Sequence, residues 1–167
     1  PIFDADQEVS KLYKSDQKIF NKLKKKLPKF IYSLPIDKKE ITNAILTNKK
    51  NLDIIIKIIH FEIRKKLSIF LKENRKEKII ILDVPLLLEN KINNKKDILI
   101  FVDSKKKQIL KRLKKRKNFN EILLRKFKSI QLPASYKKKK SQFIIRNDFT
   151  KKTVINRIKS ILKKLQK

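Results

Sequence analysis

Hydrophobic positions along the chain fall into two rhythms. Ile79-Ile80-Ile81-Leu82-Asp83-Val84 and Ile98-Leu99-Ile100-Phe101-Val102 are near-continuous apolar runs, and Phe143-Ile144-Ile145 is a shorter one. Such runs predict strands buried on both faces, as in a parallel sheet. Ile2-Phe3 reads as the tail of another short strand, leading into Asp4 and Asp6. Elsewhere apolar residues recur near a 3.6 period. Val9, Leu12, Tyr13, Phe20, Leu23 and Leu27 predict a helix, and Pro28 and Pro35 bracket a connection. Asp37 then caps a helix carrying Ile41, Ala44 and Ile45. A long helix from residue 51 to about residue 71 sets Leu52, Ile55, Ile56, Ile59, Ile63, Leu67 and Phe70 on one wide face. Asp103 or Ser104 is expected to cap a basic helix over 105–117, with Ile109, Leu110 and Leu113 as its apolar stripe and Arg112 and Arg116 on a shared face. Ile122, Leu123, Phe127 and Ile130 predict a short helix that Gln131-Leu132-Pro133 breaks, and Val154, Ile158, Ile161 and Leu165 mark a terminal amphipathic helix. Strands alternating with helices predict an α/β fold with a parallel sheet and right-handed crossovers.

Pro85 removes a ladder donor and ends the strand at residue 84. Ligands of open parallel sheets gather beyond the carboxyl ends of the strands, so Glu89 and Asn90 fall where a substrate would sit. A site is suggested there before any motif is named.

Composition changes this picture in three ways. The formal net charge of +31 points to anionic ligands or nucleic acid. Lysine is spread over nearly every predicted helix and loop beside abundant Ile and Asn, however, so the charge reads as a residue bias of the whole chain, and most aromatics fall on predicted apolar faces. Cys 0 excludes disulfides, thiol catalysis and cysteine-held zinc, and fits a cytoplasmic location. No apolar run approaches the roughly 18 residues of a membrane span. Gly 0 means that no G-x-x-x-x-G-K-[ST] loop occurs within these 167 residues.

Asp4-Ala5-Asp6 before a helix, Val84-Pro85-Leu86-Leu87-Leu88-Glu89-Asn90 after a strand, and Arg112 and Arg116 after Asp103 stand in one order and spacing. In these residues the chain resembles the dephospho-coenzyme A kinases, P-loop kinases that move the ATP γ-phosphate to the ribose 3′-hydroxyl of dephospho-CoA in the last step of coenzyme A synthesis. The resemblance spans nearly the whole chain. It implies a P-loop kinase fold over residues 1–167 as one domain, with a helical lid at about 112–140 and substrate regions. It further implies a central first strand and phosphate loop ahead of Pro1, absent here. The chain then reads as amino-terminally truncated, with strands lacking a partner and with little activity alone.

By resemblance Asp6 occupies the catalytic aspartate position, as general base or orienting group for the 3′-hydroxyl. The bare residues allow another role, since Asp4 and Asp6 both suit a helix cap. Pro85, Leu86, Leu87, Glu89 and Asn90 belong, by resemblance, to the dephospho-CoA site, as does His60, although a lone histidine within a helix equally serves packing. Arg112 and Arg116 stand at ATP-binding positions, where planar guanidinium forks suit phosphate oxygens; a solvated basic face is the plainer reading of the same residues. Asn147 falls near the adenine by resemblance and is otherwise an ordinary turn residue. Lys137 matches a basic lid position within a run of lysines. Asp83 ends its strand as a Walker B acid would, where it either assists Mg²⁺ through water or bonds local backbone. Thr42, Phe61, Gln142 and Lys38-Lys39 depart from the family's usual residues.

The resemblance implies ATP as donor with Mg²⁺, dephospho-CoA as acceptor, no protein-held metal cluster and no membrane partner. It leaves the oligomeric state open. Another P-loop nucleotide kinase is the nearest enzymatic alternative, since architecture does not specify the acceptor. A basic nucleic-acid-binding module is the non-enzymatic one.

Overall fold

The computed structural model describes residues 1–165. Along the chain run β1 (Ile2–Asp4), α1 (Ala5–Ser15), α2 (Gln17–Lys26), α3 (Lys38–Thr47), α4 (Lys49–Glu73), β2 (Ile81–Asp83), β3 (Ile100–Asp103), α5 (Lys106–Lys114), α6 (Glu121–Ser129), α7 (Ala134–Lys140), β4 (Phe143–Arg146) and α8 (Lys151–Leu165). The class is α/β with parallel strand pairing. Two compact units form, one from residues 1–87 with 122–129, the other from residues 88–121 with 130–167.

In the first unit β1 pairs in parallel with β2, in the register Ile2 to Ile81, Phe3 to Leu82 and Asp4 to Asp83. Its core is helical. Leu12, Ile19, Phe20 and Leu23 from α1 and α2 are buried, as are Leu52, Ile55, Ile59, Ile63 and Leu67 of α4. The α4 set follows the spacing read from the sequence, because residues three and four apart share one face. Phe3 of β1 meets Phe70 of α4 with ring centroids 5.4 Å apart. The connection between α2 and α3 is anchored by Glu40, a buried carboxylate that accepts from the Tyr32 and Ser33 backbone N–H groups and from Ser33 Oγ. Lys126 of α6 places its ammonium on the carbonyls of Ile45 (2.6 Å) and Leu46 (3.0 Å), satisfying acceptors in the last turn of α3.

The second unit is built on β3 and β4, parallel in the register Ile100 to Phe143 through Asp103 to Arg146. α8 returns against β4. Ile145 and Ile161 are its only buried apolar side chains among the described residues, in contrast to the first unit.

Several expectations are corrected here. The single helix expected from Val9 to Leu27 is two, because Asp16 ends α1 and caps α2, its carboxylate accepting from Ile19 N at 2.9 Å. The strands are not buried on both faces: Ile79, Ile81, Ile100, Val102 and Ile144 are exposed, and each strand has one strand neighbour among the described residues. Neither Asp103 nor Ser104 caps α5, whose N-cap is Lys105 with no side-chain bond. Asp103 is drawn instead to Lys138 at 2.7 Å, and Ser104 Oγ donates to the Asn147 carbonyl. The basic helix stops at Lys114 rather than residue 117, so Arg116 lies in the following turn. α7, which starts directly after Pro133, was not expected. An absent central strand is not confirmed.

Candidate active site

Parallel pairing carries Asp4 and Asp83 to the same level at the carboxyl ends of β1 and β2. The chain turns at once into α1, and Asp4 caps it: one carboxylate oxygen accepts from Gln7 N and the other from Gln7 Nε2, both at 2.9 Å. The cap is therefore Asp4's role. Asp6 lies inside the first turn of the helix, where an acid is favoured by the N-terminal dipole but makes no cap. Burial raises its pKa above the usual carboxylate value, and the negative charges of Asp4 and Asp83 raise it further. Three acids at one strand end thus divide their work, and Asp6 is the one whose proton affinity is increased.

Beyond β2 the chain follows Pro85 into a tight turn. Leu86 has φ 57°, and no glycine exists in this chain to take such a position. A branched residue held there costs about 1–3 kcal/mol, a strain that concentrates at functional turns. His60, in α4, is half-buried. Phe61, beside it in sequence, is 56% exposed, with the ammonium groups of Lys65 and Lys22 over its ring at 4.5 and 5.8 Å.

In the second unit Glu89 is firmly held. Its carboxylate, with a side chain 10% exposed, pairs with Lys137 at 2.6 Å and accepts from Leu132 N at 2.9 Å. Burial alone would push its pKa up; the Lys137 ammonium and the backbone N–H groups outweigh that and hold it below the ordinary value. Lys137, one of four consecutive lysines, is thereby singled out by geometry that the sequence could not show. Asn90 is half-buried.

Arg112, Arg116, Lys111, Lys115, Gln108, Asp148 and Phe149 line a cleft of about 640 Å³ on this unit. The two arginines share it even though Arg116 lies beyond the end of α5. Asn147 closes the loop beneath: its N–H donates to the Asp103 carbonyl at 2.7 Å and its Oδ1 accepts from Phe149 N at 2.8 Å. Asn147 thus acts as a turn residue in this structure. Phe149, which the sequence analysis passed over, has φ 66° and lies under the Arg112 guanidinium, with 4.4 Å between the guanidinium carbon and the ring centroid.

Among the described residues no group of three or more His, Cys, Asp or Glu side chains is arranged to hold a metal ion, and no helix is long and apolar enough to cross a membrane.

The family model for dephospho-CoA kinase matches residues 1–153. A dephospho-CoA kinase of Wolbachia pipientis is 31% identical over 166 residues, covering 98% of this chain and 85% of that protein. That of Ehrlichia canis is 29% identical over 166 residues, covering 96% and 81%. The crystal structure of TT1252 from Thermus thermophilus shares the fold, with a TM-score of 0.73 at 19% identity over 99% of this chain and 84% of that one. The expected lack of a phosphate-loop segment is not borne out by this coverage. On the family match and these relatives, the chain belongs to the dephospho-CoA kinase family.

Proposed function

We propose that Asp6 is the catalytic carboxylate of this dephospho-CoA kinase, acting as general base or orienting group for the ribose 3′-hydroxyl while the γ-phosphoryl of ATP is transferred to it. The reaction is the last step of coenzyme A biosynthesis. The observation that carries the assignment is the division of labour between Asp4 and Asp6. Asp4 is committed to the helix cap by two bonds from Gln7, whereas Asp6 stands in the first turn of the helix that follows β1, with a raised pKa. A general base needs a pKa drawn towards the working pH, and burial, aided by the charges of Asp4 and Asp83, moves Asp6 in that direction.

Phosphoryl transfer asks mainly for positioning and for charge around the transferring group. Arg112 and Arg116, sharing one cleft, suit the phosphates of ATP. Asn147 shapes the floor of that cleft through its bond to Phe149 N. Pro85, Leu86, Leu87, Glu89 and Asn90 are assigned to dephospho-CoA, with His60 beside them in role; the strained Leu86 supports a functional turn. Glu89, already engaged by Lys137, orders its segment for the acceptor rather than adding a mobile charge. The P-loop kinase fold, one catalytic domain over residues 1–167 and the lid at about 112–140 complete the assignment, and cytoplasm is where both substrates occur.

Mg²⁺ fits this site as a companion of ATP. The acids at the strand ends can offer one or two oxygens, and Mg²⁺ keeps several waters and binds mainly through substrate phosphates. When bound it supplies positive charge to the β- and γ-phosphoryl oxygens. Asp83, level with Asp4, would meet it through water.

ADP release and coenzyme A formation, followed together with ATP and dephospho-CoA, test the assignment. ADP release that requires dephospho-CoA and matches product one for one is expected. Equal turnover with simple nucleosides in its place would point to another nucleotide kinase.

A further inference from the structure

Phe149 keeps 38% of its surface exposed, and its backbone is held at φ 66° in a region that bulky residues avoid. The surrounding bonds enforce that conformation. Phe149 N donates to Asn147 Oδ1, and Thr150 N and Oγ1 donate to Asp148 Oδ1 at 2.9 and 2.7 Å. Thr153 Oγ1 lies 3.0 Å from Asp148 Oδ2, and Asn147 is itself tied to the end of β3. What the strained loop delivers is an aromatic face beneath a guanidinium at 4.4 Å, within the roughly 6 Å range of cation–π attraction.

We propose that Phe149 is a positioning residue of the nucleotide site, its ring holding the Arg112 guanidinium oriented in the cleft towards the phosphates of ATP. The proposal rests on the reading of Arg112 as an ATP-binding residue. An arginine on an exposed helix samples many rotamers, and stacking on a fixed ring removes that freedom before the ligand arrives. Lys111, Lys115 and Arg116 line the same cleft, so the ligand it suits is a polyanion. Asp148, the one carboxylate there, is occupied by the Thr150 and Thr153 donors.

ATP binding to the full chain by calorimetry, thermal stability, and the Arg112 Hε resonance together provide the test. Phe149→Leu and Phe149→Gly should weaken ATP binding by about threefold to thirtyfold, the range for a cation–π contact, while the KM for dephospho-CoA stays unchanged. Phe149→Trp should restore it. Glycine accepts a positive φ and leucine does not, so equally weak binding in Phe149→Gly and Phe149→Leu isolates the ring from the backbone. The Arg112 Hε signal should lose its ring-current shift in the Leu and Gly variants. Unchanged ATP binding in those two variants, an unchanged Hε shift, or no rescue by Trp overturns the proposal. Arg112→Ala binding ATP normally, or no ATP binding by the unsubstituted chain, overturns the underlying reading and the proposal with it.

Discussion

Asp4 and Asp6 are two positions apart and of one residue type, yet one turn of helix gives them different chemistry. Asp4 precedes the helix and its carboxylate saturates Gln7, while Asp6 faces the fields of Asp4 and Asp83. From the sequence the cap stays open to both residues and catalysis to Asp6, because the first helical residue cannot be fixed to within one position from pattern alone. The sign of the Asp6 shift has two consequences. A raised carboxylate pKa in the folded state favours the protonated form, so the stabilisation is present below the unfolded value and is lost as pH rises through the folded one. Asp6→Asn should therefore leave thermal stability at neutral pH unchanged or slightly higher, a result that differential scanning calorimetry checks. Activity runs the other way, since a base must be deprotonated. The acid limb of kcat against pH should lie above the ordinary aspartate value of about 4. Phe149 was invisible at this scale: with no glycine in the chain, nothing in the sequence marks which residues take a positive φ.

The elements show where hydrophobic rhythm suffices and where local bonds override it. Helix α4 follows its 3.6-residue pattern because its stripe alone decides which face is buried. The stretch from Val9 to Leu27 keeps the same rhythm through a break, since an aspartate at position 16 can close one helix and open the next without disturbing the apolar spacing. The strands were placed to within one residue at their carboxyl ends, but their double burial was not met. Strand ends matter most for the proposed site, and so most of its candidate residues could be named from the sequence. The Glu89 latch was not, because a lysine among lysines becomes particular only through a partner 48 positions earlier. The Glu89 pKa is lowered, so the stabilisation it gives is present above its unfolded value of about 4.5 and is lost as pH falls through the folded value. Glu89→Gln should flatten the acid dependence of the second unit's unfolding below about pH 5, as followed by circular dichroism. Lys91, exposed with φ 51°, offers a converse test: Lys91→Gly should stabilise by up to about 1 kcal/mol in urea titration, as left-handed strain of roughly 1–2 kcal/mol is partly offset by added unfolded-state entropy.

Across the molecule the buried apolar side chains gather in the first unit, and the second keeps only Ile145 and Ile161 among the described residues. Local stability follows buried apolar contact, so amide exchange should be slowest in α4 and distinctly faster in β3 and β4. Equal protection in both would contradict this distribution. The formal charge of +31 did not by itself identify a function, and the geometry shows why: its informative part is a single cleft where two arginines stand among lysines. The account's central claim is that this family member transfers phosphate with Asp6 as the carboxylate at the acceptor hydroxyl. The rate of ATP-dependent coenzyme A formation by Asp6→Asn, measured beside the unsubstituted protein, tests it most directly. Turnover is expected to fall by about 10²–10⁴-fold with ATP binding retained. Turnover near that of the unsubstituted protein would contradict it.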